Sequence, residues 1–483
     1  MDLTDTAPLY RQLEEALAAA IGDGTLAAGD RLPSERALAE QLGVSRTTTV
    51  TAYRELEARG LVRGSTGRGT FVCAVETPQA AAPFAWQGKV AAAAQRTNDV
   101  TLRSLVQHPT DEVISFMAGQ PALEHFPVAA FQRAMQHALE HGVPAALGLG
   151  PTEGQPALRL ALAQRFGVRA EQVLILSGSQ QGLDLLARCL LEPGDVVVMD
   201  RPGYLGAIQV FRAAGARIAG WDARRADLDE LEDLLQRYRP KLLYTNPTFH
   251  NPTGRTLSLE TRRGLLQLGQ RYRIAIIEDD PYSPLHLDKA PPPSLLSLDD
   301  QGVVIYQGTF SKTLAAGLRL SWMIAPEAVA EQVTMVRQRA DLFSGGAYQF
   351  VVAELLENGV FERHLAALRV EHRARLEAMT TALRQQTPPG ALSWVTPEGG
   401  LCLWLQAHGH LDVRLLVQQA AALGVEILGG EHFYPDGGGR QEFRLCFTRN
   451  PAPQNALGVA RLARALHAAE ALSGSMVETR PLA

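Results

Sequence analysis

Val303-Val304-Ile305-Tyr306-Gln307-Gly308-Thr309-Phe310-Ser311-Lys312 runs an apolar strand into a turn of small and hydroxyl residues that ends on a lysine. A second apolar run, Leu318 to Ile324, follows, and Arg319 stands at its start. Of 46 lysines and arginines, only four are lysine: Lys89, Lys241, Lys289 and Lys312. Lys89 falls in an Ala/Pro/Gln-rich stretch, Lys241 opens an apolar strand, and Lys289 sits in a Pro-rich loop. Lys312 differs from all three. A primary amine flanked by hydroxyls, with an arginine close by, suits a Schiff base to a phosphorylated aldehyde. The amine bonds the carbon, while Thr309, Ser311 and Arg319 hold the phosphate.

Outward from this strand the chain alternates apolar strands with amphipathic helices from about residue 111, the pattern of a largely parallel sheet covered by helices. Three further strand ends carry chemistry. Ser177-Gly178-Ser179-Gln180-Gln181 follows the apolar run Val173–Leu176 and opens a helix, where free N–H groups favour a phosphate. Glu278-Asp279-Asp280-Pro281-Tyr282 ends another run, and a carboxylate there can keep a pyridine nitrogen protonated; the plain alternative is a loop acid. Thr245-Asn246-Pro247-Thr248-Phe249-His250-Asn251-Pro252-Thr253-Gly254 holds two Asn-Pro turns, and Asn251 can donate to a phenolic oxygen or serve only the turn.

The first 72 residues read as a separate unit. Pro8 precedes a helix with Leu9, Leu13, Leu17 and Ala20/Ile21 on one face, ended by Gly22 and Gly24. Ser34 caps a second helix, with Ala37, Leu38 and Leu42 inward and Gly43 as its stop. Ser45 caps a third, with Val50, Tyr53 and Leu56 inward. Leu61-Val62, the Gly-rich tip 63–69 and Thr70-Phe71-Val72 follow as strand, turn and strand. Together these make a winged helix-turn-helix. The third helix begins Ser45-Arg46-Thr47-Thr48-Thr49, an end suited to phosphates and base edges, with Arg63 and Arg68 in the wing. A capping serine and an exposed arginine also occur on ordinary helical hairpins, and this unit is not basic overall.

Composition bounds the rest. The chain has 483 residues, 46% hydrophobic and 20% charged, with net charge −5, so nucleic-acid contact must come from a local patch. The cysteines, Cys73, Cys189, Cys402 and Cys446, form no CxxC pair, so the spacing supports neither a metal site nor a redox motif. They suit a reducing cytosol. No signal core and no membrane-length apolar run is present. The expected domains are a winged helix over 1–75, a linker over 76–110 with a possible short helix around 88–96, and a body over 111–472. The tail Ser473–Ala483 reads as disordered.

Residues 8–72 resemble the GntR-family winged helix, through Leu32-Pro33-Ser34-Glu35-Arg36, Leu42-Gly43-Val44-Ser45-Arg46-Thr47-Thr48 and Gly67-Arg68-Gly69-Thr70-Phe71-Val72. The resemblance implies DNA contacts from Arg36, Ser45, Arg46, Thr47, Thr48 and the wing at Gly67, Arg68 and Gly69. Val50 stands where the family has a further arginine. Residues 112–470 resemble fold-type I pyridoxal-phosphate (PLP) enzymes, the aspartate-aminotransferase superfamily. That likeness implies an α/β fold with a smaller C-terminal α+β subdomain. Lys312 matches the Schiff-base lysine and proton shuttle, Asp279 the partner of the pyridine nitrogen, and Tyr282 and Asn251 the phenolic-oxygen contacts. Tyr204 matches the ring-stacking aromatic, and Gly178, Ser179, Gln180, Thr309 and Arg319 match the phosphate cup. Arg444, with Gly119, matches the substrate-carboxylate site. Leu149 departs from the family, which usually has a tyrosine there. The two halves together resemble the MocR regulators. This implies a cytoplasmic, bacterial homodimer with swapped heads that binds operator DNA, nucleoid-associated when bound, and responds to an amine, an amino acid or PLP itself. A working aminotransferase with an attached head is the rival reading.

Overall fold

Short-range chemistry sets each helix end of the N-terminal unit. Helix α1 (Leu9–Gly22) starts after Pro8, whose ring suits a first turn. Helix α2 (Glu35–Leu42) is capped by Ser34, whose hydroxyl accepts the Ala37 N–H at 3.2 Å, and it closes on Gly43 in the left-handed region at φ 65°. Helix α3 (Arg46–Ala58) is capped by Ser45, which accepts the Thr48 N–H at 3.1 Å. Strands β1 (Val62–Ser65) and β2 (Gly69–Val72) pair antiparallel as the wing, with Val62 opposite Val72. The computed structural model describes residues 7–65, 68–74, 86–91, 94 and 112–478, and it divides into two units, Met1–Lys89 and Val90–Ala483.

The small core gathers Leu13, Ile21, Leu32, Leu38, Tyr53, Leu56, Val62 and Val72. Two expectations change here. Leu9 is 44% exposed, because the buried side of α1 begins at Leu13. The inward face of α3 is Thr49, Ala52, Tyr53 and Leu56, with Val50 only half-buried. These four follow the i, i+3, i+4, i+7 spacing. Thr49 tolerates burial because its hydroxyl lies 2.9 Å from the carbonyls of both Glu35 and Arg46. A β-branched polar residue therefore replaces Val50 in the helix–helix seam.

In the second unit, Ile114–Ser115 (β3) is followed by a seven-stranded sheet in the order β4-β10-β9-β8-β7-β5-β6. Its strands are β4 (Val173–Leu176), β5 (Val196–Asp200), β6 (Arg217–Trp221), β7 (Leu242–Thr245), β8 (Ala275–Asp279), β9 (Val304–Thr309) and β10 (Ser321–Ile324). Strands β5 to β9 run parallel, and β10 is antiparallel to both of its neighbours. Near-continuous apolar strands are what a sheet covered on both faces requires. The strand that leads to Lys312 runs as far as Thr309.

A four-stranded antiparallel sheet forms the smaller subdomain, in the order β11 (Leu392–Trp394), β12 (Cys402–Ala407), β15 (Glu442–Cys446), β14 (Leu428–Gly429). Strand β13 (Val425–Glu426) pairs with β3. The chain's last helix, Ala452–Glu478, overruns the tail expected to be disordered from Ser473. Ser473 is 6% exposed, donates to the Ala469 carbonyl and accepts the Asp412 N–H, so packing holds the helix past that point. Trp86–Lys89 is a 3-10 turn; the rest of the expected linker helix falls largely outside the described residues.

Candidate cofactor and DNA-contact sites

In the body, the chemistry-bearing residues cluster where the parallel strands end, the crevice that open α/β sheets offer to ligands. Asp279 is the last residue of β8 and Thr309 the last of β9, while Tyr204 lies beyond β5 and Asn246 beyond β7. Asp279 is 5% exposed. Its Oδ2 accepts the Tyr244 hydroxyl at 2.6 Å, and its backbone carbonyl accepts from the Asn246 side chain. Burial pushes the Asp279 carboxyl up to about 6, Asp280 and Asp200 add to the rise, and Tyr244 and Lys312 oppose it. The neighbouring acids have other work. Glu278 accepts the Leu295 and Leu296 N–H groups at 2.9 Å each, and Asp280 accepts the Ser283 N–H at 2.9 Å.

Lys312 donates to the Gly119 carbonyl at 2.8 Å. Burial lowers its ammonium below the ordinary value, with Arg444 and Arg319 acting in the same direction and the thiols of Cys446 and Cys402 acting against it. Gly119 itself has no room for a side chain, since a Cβ would come within 2.9 Å of Leu401. Thus Gly119, 193 residues away in sequence, is a direct partner of the lysine.

The phosphate-cup candidates converge on the N-terminus of α4 (Ser179–Leu190). Gly178 precedes it at φ 114°, and a Cβ there would stand 2.2 Å from the Arg319 guanidinium. Arg319 donates to the Ser177 carbonyl at 3.0 Å. The first-turn N–H groups and this guanidinium therefore surround a cradle that only glycine leaves open. Thr309 is placed differently from the rest: 3% exposed, its hydroxyl accepts the Ser311 N–H at 3.1 Å and braces the turn. Gln180 accepts the Tyr204 hydroxyl at 3.3 Å and donates to the Gly206 carbonyl at 2.9 Å. Burial raises the Tyr204 phenol to about 12; Asp279 adds to the rise, whereas Arg444 and Arg319 oppose it.

Arg444 on β15 is 6% exposed and donates to Asn251 Oδ1 at 2.8 Å and to the Met117 carbonyl. Its Nε has no partner although it is buried. The Asn251 N–H is fixed by Asn246 Oδ1 at 2.6 Å. Tyr282 is 4% exposed, and burial holds its phenol well above the ordinary value. Leu149 is 88% exposed. The residues fit PLP: an amine, a buried carboxylate, an aromatic and the cradle's Arg319 lie within electrostatic reach of one another. Sequence reasoning missed Tyr244, Asn246 and Met117. Asn246 stood in a quoted motif, but the other two contacts depend on strand register.

In the head, Arg36, Ser45, Arg46, Thr47, Arg63 and Arg68 are exposed. Arg36 pairs with Glu40 at 3.3 Å on the surface of α2, and Ser45 and Thr48 share a hydroxyl contact of 2.7 Å at the start of α3. Gly69 opens β2 at φ 108°, where a Cβ would meet Arg31 at 2.7 Å. Gly67 lies outside the described residues.

Residues 9–72 match the model of the bacterial regulatory proteins of the gntR family, and residues 111–460 match that of aminotransferase class I and II. An HTH-type transcriptional regulator of Bacillus subtilis, YisV, is 32% identical over 91% of this chain and 92% of its own length. The probable rhizopine catabolism regulatory protein MocR of Rhizobium meliloti is 32% identical over 88% of this chain and 87% of its own. The crystal structure of LysN, an alpha-aminoadipate aminotransferase from Thermus thermophilus complexed with N-(5'-phosphopyridoxyl)-L-leucine, superposes with a TM-score of 0.76. It is 36% identical and covers 80% of this chain and 99% of that one.

Proposed function

The chain belongs to the MocR-type regulators, a gntR-family head on an aminotransferase class I and II body, and from that premise we propose that it is a PLP-dependent transcription regulator. The head binds operator DNA, and the body takes an amine, an amino acid or PLP as its signal. The observation that carries this reading is that Lys312, Asp279, Tyr204 and Arg444 act on one another's charge, in a chain that also holds a winged helix.

Bound PLP supplies an aldehyde that captures a primary amine and a ring that withdraws electrons from it. Asp279, oriented by Tyr244, holds the proton on the ring nitrogen. Tyr204 would stand against the ring, and Gly178, Ser179, Gln180, Ser311 and Arg319 would hold the phosphate. Thr309 supports Ser311 from beneath. Lys312, with its lowered proton affinity, gives up its proton more readily than an exposed lysine and moves protons at its Nζ. Arg444 takes the carboxylate of an amino-acid effector and in doing so exchanges its contacts to Asn251 and Met117. That exchange is the differential contact a regulator needs between its two states. The chain works as a cytoplasmic homodimer whose two heads read two half-sites.

A second reading has its own support. Lys312, Asp279 and Arg444, the groups that transamination would use, act on one another's charge, and LysN is an aminotransferase. DNA selected from a randomised duplex pool, titrated with PLP-loaded protein in the presence of amino acids and amines, tests the regulator. A shift in DNA affinity with one of these compounds, without sustained keto-acid production, is expected. Steady turnover with unchanged DNA affinity makes the chain an enzyme instead.

A further inference from the structure

Cys402 and Cys446 lie outside any CxxC motif, 44 residues apart, yet they stand opposite each other across the β12–β15 ladder. Their sulfurs are 3.4 Å apart, and both side chains are buried. The Phe447 N–H donates to the Leu401 carbonyl at 3.1 Å, while the Cys446 N–H turns away to the Phe116 carbonyl at 2.9 Å. The cysteines therefore occupy a non-hydrogen-bonded pair. There opposed Cα atoms approach to ~4.5 Å, within the ~4.4–6.8 Å that a disulfide spans.

The pair also backs onto the effector cleft. Cys446 Sγ lies 3.7 Å from the Met117 carbonyl, the same oxygen that accepts from Arg444. It would stand 3.6 Å from a Cβ on Gly119, whose carbonyl accepts from Lys312. Burial pushes the Cys446 thiol up, but the Cys402 contact and the charges of Arg444 and Lys312 outweigh it and bring it down to about 6. Cys402, through its contact with Cys446 and then burial, is held well above the ordinary value. The contact between the two sulfurs and the nearby cations Arg444 and Lys312 thus favour a thiolate on Cys446.

We propose that Cys402 and Cys446 form a modification site, a dithiol that hydrogen peroxide closes into a disulfide and that weakens carboxylate binding at Arg444. The Cys446 thiolate attacks one peroxide oxygen; the O–O bond breaks, hydroxide leaves and takes up a proton, and Cys446 becomes a sulfenic acid. The Cys402 sulfur then attacks the Cys446 sulfur as its own proton departs. The S–O bond breaks, and the second water leaves. Two thiols lose two electrons in total, and one peroxide is reduced to two waters. Drawing the sulfurs together to ~2.05 Å pulls Cys446 away from the Met117 carbonyl that anchors Arg444. The effect on binding rests on the proposed role of Arg444; the cross-link itself does not.

The test treats full-length, PLP-loaded protein with hydrogen peroxide, blocks free thiols under denaturing, non-reducing conditions, and maps the peptides by mass spectrometry. We expect one peptide joining Cys402 to Cys446, absent in Cys402→Ser and released by dithiothreitol. Amino-acid binding, followed by the visible absorbance of the bound cofactor, weakens by at least about fivefold on oxidation, recovers with dithiothreitol, and does not respond to peroxide in Cys402→Ser. Sulfinic acid at Cys446 without a cross-link, or no reaction at either cysteine, overturns the dithiol. A cross-link with unchanged amino-acid affinity overturns the regulatory effect. If the reduced protein binds no amino acid, it is the reading of Arg444 that fails, and the peptide map still decides whether the dithiol closes.

Discussion

Arg46 stands in solvent at the start of α3, whereas Arg444 is 6% exposed and bonded to Asn251 and Met117. The same side chain is thus set up for two kinds of recognition. In the head, the arginines proposed to touch DNA lie in water, and the charge of a duplex reaches them without any need for a pocket. In the body, the ionisable groups are desolvated: Asp279 is raised, Lys312 is lowered, and both depend on named neighbours. The contrast teaches that the head can be disabled by removing a charge, with little effect on its fold. In the body, the removal of one group disturbs the protonation of the others.

The largest effect should come from the body. Lys312→Ala removes the amine proposed to capture the cofactor aldehyde. Covalent cofactor capture, read as added protein mass after borohydride treatment, should vanish, and any transamination should fall by at least ~100-fold. DNA affinity of the PLP-free protein should stay at its wild-type value, and a loss there would break the separation of roles. Next is Arg46→Ala, expected to weaken operator binding by ~1–3 kcal/mol and to reduce the salt dependence if the contact is to phosphate. Cofactor absorbance should not move.

A third comparison uses pH. His372 is fully buried with both ring nitrogens unpartnered, and burial, reinforced by His125 and His364, lowers its pKa to about 3. A depressed histidine pKa means the unfolded state binds the extra proton. Its contribution is therefore fully present above about 6.5 and is lost as pH falls toward about 3. Urea unfolding of the body should weaken over that window by up to ~1.4 kcal/mol per pH unit from this group. A His372→Leu variant should show a shallower slope. The smallest effect is Ser45→Ala, which removes the α3 cap and should cost the head ~1 kcal/mol of stability by thermal unfolding, while the visible spectrum stays unchanged.

Much of the head was legible because caps and turns act over three or four residues. Ser34, Ser45 and Gly43 announce their helices through their own side chains or conformational freedom. The inward face of α3 slipped from Val50 to Thr49, because hydrophobicity alone does not report that a buried hydroxyl will find two carbonyls. In the body, the motifs at strand ends announced Lys312, Asp279 and Asn251. The brace from Tyr244 to Asp279 could not be read, since it depends on how β7 lies against β8. The helix beyond Ser473 was missed for a similar reason: Asp412, 61 residues away, helps to hold it.

Local signals were enough for the winged helix, the parallel sheet, the lysine and the acid near the ends of their strands, and the join of two families in one chain. Periodicity, capping and turn chemistry are local and leave their mark within a few residues. It took the folded chain to bring Gly119 to Lys312, to hold Arg444 with Met117 and Asn251, and to set two distant cysteines face to face. Those contacts follow from strand register and from packing between segments far apart in the chain, which no short window of residues encodes.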